Sequence, residues 1–271
     1  MNNYIQISFT DVQHEQQEML IAHLSEAGYE GFEENENELN AFVPEKKFDN
    51  FFLKELAYKY QLSYYQKKIE EQNWNAIWES SFQPVIIDDF VSVRADFHPP
   101  VTSVQHEIIV TPKMSFGTGH HATTYMMIQQ MKEIDFENKS VFDFGTGTGV
   151  LAILAEKLGA AKIIAIDNDE WSIKNAEENI QQNNCSCIEL KRSDTAEINE
   201  RFDIILANIN KNVILDNLSV LKDQLKLNGV LLLSGLLKED ENDIVLKTDE
   251  LRFKLILKIE RHNWLCLRFS S

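Results

Sequence analysis

The chain has 271 residues, 44% of them hydrophobic and 25% charged, and its 43 acidic against 26 basic side chains give a formal net charge of -17. That length accommodates one large domain or two smaller ones. The acidic balance argues against a broad contact with nucleic acid, which needs a basic face, and favours a small ligand or a basic protein partner.

The N-terminus, MNNYIQISFT, has no basic stretch followed by an apolar run, so no leader signal is expected. Residues 4–9 alternate like a half-buried strand, and Gln13–Ala27 places Met19, Leu20, His23, Leu24 and Ala27 on one helical face that Gly28 ends. Tyr29–Glu34 and Glu38–Val43 read as strands around the polar turn 35–37. Phe48–Tyr60 reads as a helix with Phe48, Phe51, Phe52, Leu56 and Tyr60 on one side, and Ser63–Ile69 as a closing strand. The order β-α-β-β-α-β predicts a small α+β ferredoxin-like domain over 1–66. The charged stretch beginning at Lys67 predicts a linker over 67–73, before a second domain over 74–271. Trp74, Trp78 and Phe82 then recur at helical spacing, a pattern of packing.

Strands are expected at Val85–Ile87, Val91–Ala95 and His106–Val110. From Ser140 onward strands at 141–144, 162–167, 187–190, 202–209 and 229–235 alternate with helices at 150–158, 170–182, 213–225 and 239–248. That alternation predicts an α/β fold with parallel strands and crossover helices. The last two strands, 251–259 and 264–269, form a hairpin, so the final strand should run antiparallel. Of the cysteines, Cys185, Cys187 and Cys266, three cannot all pair, and Cys-x-Cys alone is not zinc spacing. A reducing, cytoplasmic setting fits, and no window approaches the ~20 apolar residues of a membrane span.

Asp143-Phe-Gly145-Thr-Gly147-Thr-Gly149 lies between a strand and a helix, where glycines let backbone turn tightly and approach a ligand. The spacing is G-x-G-x-G, not the G-x-G-x-x-G of a nicotinamide site, and Asp143 would repel a pyrophosphate. A carboxylate suits a ligand with an ammonium, such as S-adenosylmethionine; the alternative is a plain tight turn. Asp167, 22 residues after Gly145, can accept hydrogen bonds from both hydroxyls of a ribose, or it or Asn168 can cap the next helix. Asn208 ends its strand over the same crevice, where its amide oxygen can accept from an amine, or it is a turn former. A second FGTG, at Phe116–Gly119, precedes a helix expected over 125–131 that Thr123 or Thr124 can cap, and the segment can fold beside the cofactor as a lid. His120 and His121 are adjacent but have no third ligand at motif spacing, so no metal is expected.

These stretches together resemble the bacterial methyltransferases that modify ribosomal protein L11 of the large subunit. The resemblance runs the whole chain: NWNAIWESSFQP (73–84), FGTGHHATT (116–124), DFGTGTGVLAI (143–153), AIDND (165–169), LANI (206–209) and NWLCLRF (263–269). It implies a class I S-adenosylmethionine-dependent methyltransferase with a Rossmann-like seven-stranded sheet and a substrate-recognition domain before it. It also implies multiple methylation of α-amino and lysine ε-amino groups, with cofactor contacts from Thr124, Gly145, Asp167 and Asn208. The chain departs from the family pattern at Lys113, His120, Ala122 and Asn210, where glycine, threonine, proline and leucine are usual. Two readings from other classes stand beside this one: a small-molecule N-methyltransferase, and a regulator that binds S-adenosylmethionine without turnover.

Overall fold

The computed structural model describes residues 3–69, 82–113 and 117–271 (less the side chain of His14), and the chain divides into two compact units, Met1–Ser81 and Phe82–Ser271. The first unit runs β1 (Tyr4–Thr10), α1 (His14–Glu26), β2 (Gly31–Asn35), β3 (Glu38–Pro44), α2 (Asn50–Tyr60) and β4 (Ser63–Ile69). Its antiparallel sheet has the order β2-β3-β1-β4. Alternate residues Ile5, Ile7 and Phe9 of β1 face Leu20 and Leu24 of α1 and Leu53 and Leu56 of α2 in one core. The face expected for α2 needs correction at Phe51, which is 70% exposed, because Asp49 caps the helix and turns Leu53, Leu56 and Ala57 inward. Lys67, Lys68 and Ile69, expected to open the linker, pair with Gln6, Ile5 and Tyr4 as the end of β4. The rest of that linker, with Trp74 and Trp78, lies outside the described residues.

The second unit opens with a three-stranded sheet, β5 (Val85–Ile87), β6 (Val91–Ala95) and β7 (His106–Val110). Then follow α3 (Ala122–Met131), β8 (Ser140–Phe144), α4 (Val150–Lys157), β9 (Lys162–Asp167), α5 (Glu170–Gln182), β10 (Ile188–Arg192) and β11 (Phe202–Asn208). The chain ends with α6 (Lys211–Gln224), β12 (Leu225–Leu237), α7 (Glu241–Glu250), β13 (Lys254–Arg261) and β14 (Trp264–Ser270). Strands β8 to β14 form a seven-stranded sheet in the order β10-β9-β8-β11-β12-β14-β13. β14 is antiparallel to both of its neighbours, as the hairpin predicts.

Both faces of this sheet are covered, which is why its strands read as nearly continuous apolar runs. Val141, Ile163, Ile204, Leu206 and Leu232 share a core with α3 and α4, whereas Phe142, Ile164, Ile205, Ala207 and Leu231 pack against α6 and α7. The edge of β7 is met by an amide ladder on α5 and its C-terminal cap, Asn183. Asn179 and Asn183 accept from the backbone N–H groups of Thr111 and Ile109 at 2.7 and 3.0 Å, and Asn175 donates to the Thr111 carbonyl.

At the far end of the sheet from the strand tips, Asp203 clamps three strands. Its Oδ2 accepts from Ser140 N and Oγ at 2.9 and 2.7 Å and from Lys226 Nζ at 2.8 Å. Burial pushes the Asp203 carboxyl up, but the Lys226 and Ser140 hydrogen bonds outweigh it and bring the group down to about 2. A depressed carboxylate stabilises the fold above its unfolded pKa, and the contribution fades as pH falls through the folded value. Asp203→Asn should therefore cost about 1 kcal/mol at neutral pH and flatten the loss of stability between about pH 4 and pH 2. Chemical denaturation across that range checks both.

Candidate functional site

The carboxyl ends of β8, β9 and β11 open into a cleft of about 520 Å³. Gly145, Gly147, Asp167 and Asn208 line it, so the sequence motifs converge although they lie 63 residues apart from first to last.

Strand parity directs each polar group. Asn208 shares the side of β11 with Ile204 and Leu206, the side on which α3 packs. There its Nδ2 donates to Thr124 Oγ1 at 3.1 Å, while its Oδ1 is buried and has no hydrogen-bond partner. An unpaired buried carbonyl costs desolvation, and this oxygen keeps unused acceptor capacity at the cleft wall. Thr124 stands behind Asn208, in a small pocket it shares with Gly117, Gly145 and Thr148.

The glycine loop is required by close approach. Gly145 has φ +78°, and a Cβ there would lie 2.2 Å from Ile209 Cγ2. Gly149, at φ +80°, starts α4, and its Cβ would press on Ala176 of α5 at 3.3 Å, so it serves helix packing and stands away from the cleft lining. Asp143 is likewise absent from that lining. It is fully buried under the loop, with Oδ2 accepting from the Thr146 hydroxyl at 2.6 Å and Oδ1 unpaired. Burial holds its carboxyl up at about 7.

Asp167 reaches the cleft with both oxygens bonded to backbone, Oδ2 from Gly147 N at 2.9 Å and Oδ1 from Asp169 N at 3.0 Å. Each carboxylate oxygen retains capacity to accept one hydroxyl more. The expectation that Asp167 or Asn168 caps α5 is corrected: Asp169 does so, accepting from Ser172 N at 2.9 Å. The cap of α3 is corrected as well. His121 holds that place, its Nδ1 accepting from Thr123 N, and α3 therefore begins at Ala122 and not at Tyr125.

The first glycine loop lies beside the second. Gly117 O accepts from the Thr148 hydroxyl at 2.9 Å, and His120 bridges Thr118 Oγ1 and the Gln83 carbonyl at 3.0 and 2.8 Å. Two of the unusual positions also have structural employment: Lys113 pairs with Glu178 of α5, and Asn210 caps α6 through Val213 N.

Sequence reasoning missed Gly235, Asp194 and Trp264, which line the same cleft. Gly235 sits at a bulge of β12 with φ +83°, where a Cβ would meet Ile209 O at 2.2 Å. The strand-terminal Ser-Gly at 234–235 was its signal. Asp194 follows β10, and Trp264 opens β14 with its ring 4.7 Å from that of His121. The described lining holds the carboxylates of Asp167 and Asp194 and no lysine or arginine, an environment for a cation and not for a phosphate.

Two stability outcomes follow. Gly145→Ala should cost about 2 kcal/mol or more, because it adds both a clash and a strained φ; thermal unfolding reads it. For Asp143 the folded pKa is raised, so the folded state holds the proton while the unfolded chain loses it. Stability should therefore fall as pH rises from about 4 to about 7, and Asp143→Asn should remove that part of the slope in urea titrations.

Comparison with known proteins gives the family. A family model described as Ribosomal protein L11 methyltransferase (PrmA) matches residues 3–271. The ribosomal protein L11 methyltransferase of Porphyromonas gingivalis is 39% identical over 265 residues, covering 93% of this chain and 90% of the relative. That of Chlorobaculum tepidum is 37% identical over 281 residues, covering 97% and 95%. Among solved structures, a ribosomal protein L11 methylase from Lactobacillus delbrueckii subsp. bulgaricus matches with a TM-score of 0.66 at 29% identity, over 70% of this chain and 99% of that one. A putative RNA methyltransferase from Pyrococcus horikoshii, 22% identical with a TM-score of 0.50 over 59% of this chain and 90% of its own, shares the fold. The sheet of the second unit is thus that of the class I methyltransferases, and the chain belongs to the ribosomal protein L11 methyltransferase family.

Proposed function

We propose that this protein transfers methyl groups from S-adenosylmethionine to amino groups of ribosomal protein L11, on lysine side chains and on the N-terminal α-amine. The names of its relatives support the substrate, and the Asn208 carboxamide carries the chemistry: its nitrogen is tied to Thr124 and its buried oxygen is unpaired.

The cleft suits the cofactor. Gly145 leaves no room for a side chain, Asp167 has acceptor capacity for two ribose hydroxyls, and the carboxylate-bearing lining favours a cation. Asp143 and Thr146 brace the loop from beneath, and Gly147 presents its N–H to Asp167. When bound, S-adenosylmethionine supplies a methyl group on a cationic sulfur. The chain's own task is alignment. Asn208 Oδ1 accepts an N–H of the target amine and so turns the nitrogen lone pair toward the methyl donor. A lysine amine has an ordinary pKa near ~10.4 and must shed its proton before it can react, and exclusion from water in the cleft favours the neutral form. Alignment of this kind is worth several kcal/mol without any nucleophilic side chain or metal.

We further infer that the first unit is a ferredoxin-like substrate-recognition domain. Its β-α-β-β-α-β order and antiparallel β2-β3-β1-β4 sheet support this. No helix among the described residues is long and apolar enough to cross a membrane, and a ribosomal substrate fits a cytoplasmic enzyme.

Incubation of the purified chain with L11 and S-adenosylmethionine, read by intact mass, should add whole methyl units. Asn208→Ala should slow transfer by on the order of 10²-fold while cofactor affinity, measured by calorimetry, stays within a few fold. Cofactor binding with no mass gain on L11 would contradict the reading and favour a regulator.

A further inference from the structure

We propose that the corner formed by Trp264 and His121 seats the N-methyl groups a target amine already carries, so that Trp264 decides how many methyl groups each amine receives. This rests on the reading of the cleft as an amine methylation site.

What Asn208 can hold changes as methyl groups accumulate. Its oxygen accepts from an N–H, and an amine loses one N–H with every methyl it gains. In each round the nitrogen lone pair forms the new N–C bond as the S–C bond breaks, and the bonding electrons stay on sulfur. The nitrogen is then cationic and gives a proton to water before the next round. A dimethylated amine has no N–H left once neutral, so the contact that aligned the first transfer is missing from the third. Repeated transfer needs a second kind of contact, one that strengthens as methyl groups accumulate.

An aromatic face provides it. Methylated nitrogen is apolar at its surface and, between rounds, positively charged, and tryptophan is the strongest cation–π partner among the side chains. Trp264 and His121 both line the cleft that Asn208 lines, with ring centroids 4.7 Å apart and planes at 72°, an edge-on corner and not a stack. Both rings are anchored. Trp264 is paired across the sheet with Leu237 and Arg261, and it shares the side of β14 with Cys266, whose sulfur meets Met127 of α3 at 3.8 Å. His121 caps α3, with Nδ1 2.8 Å from the Thr123 hydroxyl. Burial also holds the His121 imidazole below its ordinary range, so an uncharged ring faces the incoming cation.

Two experiments test this. In the first, the cofactor-free protein is titrated with tetramethylammonium chloride, with neopentyl alcohol as a neutral probe of similar shape and sodium chloride as the ionic control. The indole N–H resonance of Trp264, identified by its loss in Trp264→Phe, is followed. The resonance should respond to tetramethylammonium at about tenfold lower concentration than to the alcohol. Equal responses, or none, would overturn the proposal. In the second, L11 products are separated by methyl count. Trp264→Leu should lower the ratio of second to first transfers about tenfold, and Trp264→Phe should restore most of it. An unchanged methyl distribution in a folded Trp264→Leu protein would overturn the proposal while leaving the methyltransferase reading standing. Failure of the wild-type chain to methylate L11 at all would fail that reading instead, and the indole titration would still decide the corner.

Discussion

Ile209 is wedged between two glycines, one in the loop after β8 and one in β12, and the geometry of the cleft depends on that wedge. On one side its side chain fills the space where a Gly145 Cβ would be, and on the other its carbonyl occupies the space of a Gly235 Cβ. Its N–H is also tied to Ser234 O at 3.2 Å. Asn208, the residue before it, consequently has little backbone freedom, and Thr124 takes up the freedom of its side chain. Close-packed backbone holds a polar group in position more firmly than a loop can, and alignment at a reacting atom is lost with displacements of about 1 Å. The two glycines therefore hold the asparagine in place by letting Ile209 approach.

The loop itself is held from below by groups that carry a cost. Asp143 is buried with one oxygen unpaired, and its carboxyl is held up at about 7 by that burial. Proteins keep such local penalties at functional sites when the surrounding structure stabilises them. The surrounding structure here includes a chain of hydrogen bonds across both glycine loops. Asn179 of α5 joins the Thr111 N–H to the Thr148 carbonyl, and the Thr148 hydroxyl joins the Gly117 carbonyl. The first glycine loop, the exit of β7 and the second glycine loop are therefore one connected element, and a change in any of them reaches the others.

Much of this was legible in the sequence because it is periodic or punctuated. The alternation from Ser140 onward exposed the parallel sheet, the closing hairpin exposed its antiparallel strand, and glycine spacing with Asp167 and Asn208 exposed the cleft. The remainder depends on contacts between distant segments. Gly235 matters only because Ile209 comes within reach of it, and the ladder of Asn175, Asn179 and Asn183 reads as a polar helix face until β7 is laid against it. The cap of α5 lies one or two residues beyond the expected place because Asp167, Asn168 and Asp169 are all competent caps, and backbone geometry chose Asp169. Spacing alone groups Phe51 with Phe48, Phe52, Leu56 and Tyr60 on one side, but α2 offers more apolar residues than one face can bury.

If the proposed function holds, Asp167 and Asn208 flank one bound ligand, the carboxylate on its ribose and the carboxamide oxygen beside its sulfur. A crystal structure of the chain with S-adenosylhomocysteine tests it most directly. Both ribose hydroxyls should lie within hydrogen-bond distance of the Asp167 carboxylate, with Asn208 still held by Thr124 and its oxygen turned toward the sulfur. A ligand whose ribose avoids Asp167, or whose sulfur lies away from Asn208, would contradict it.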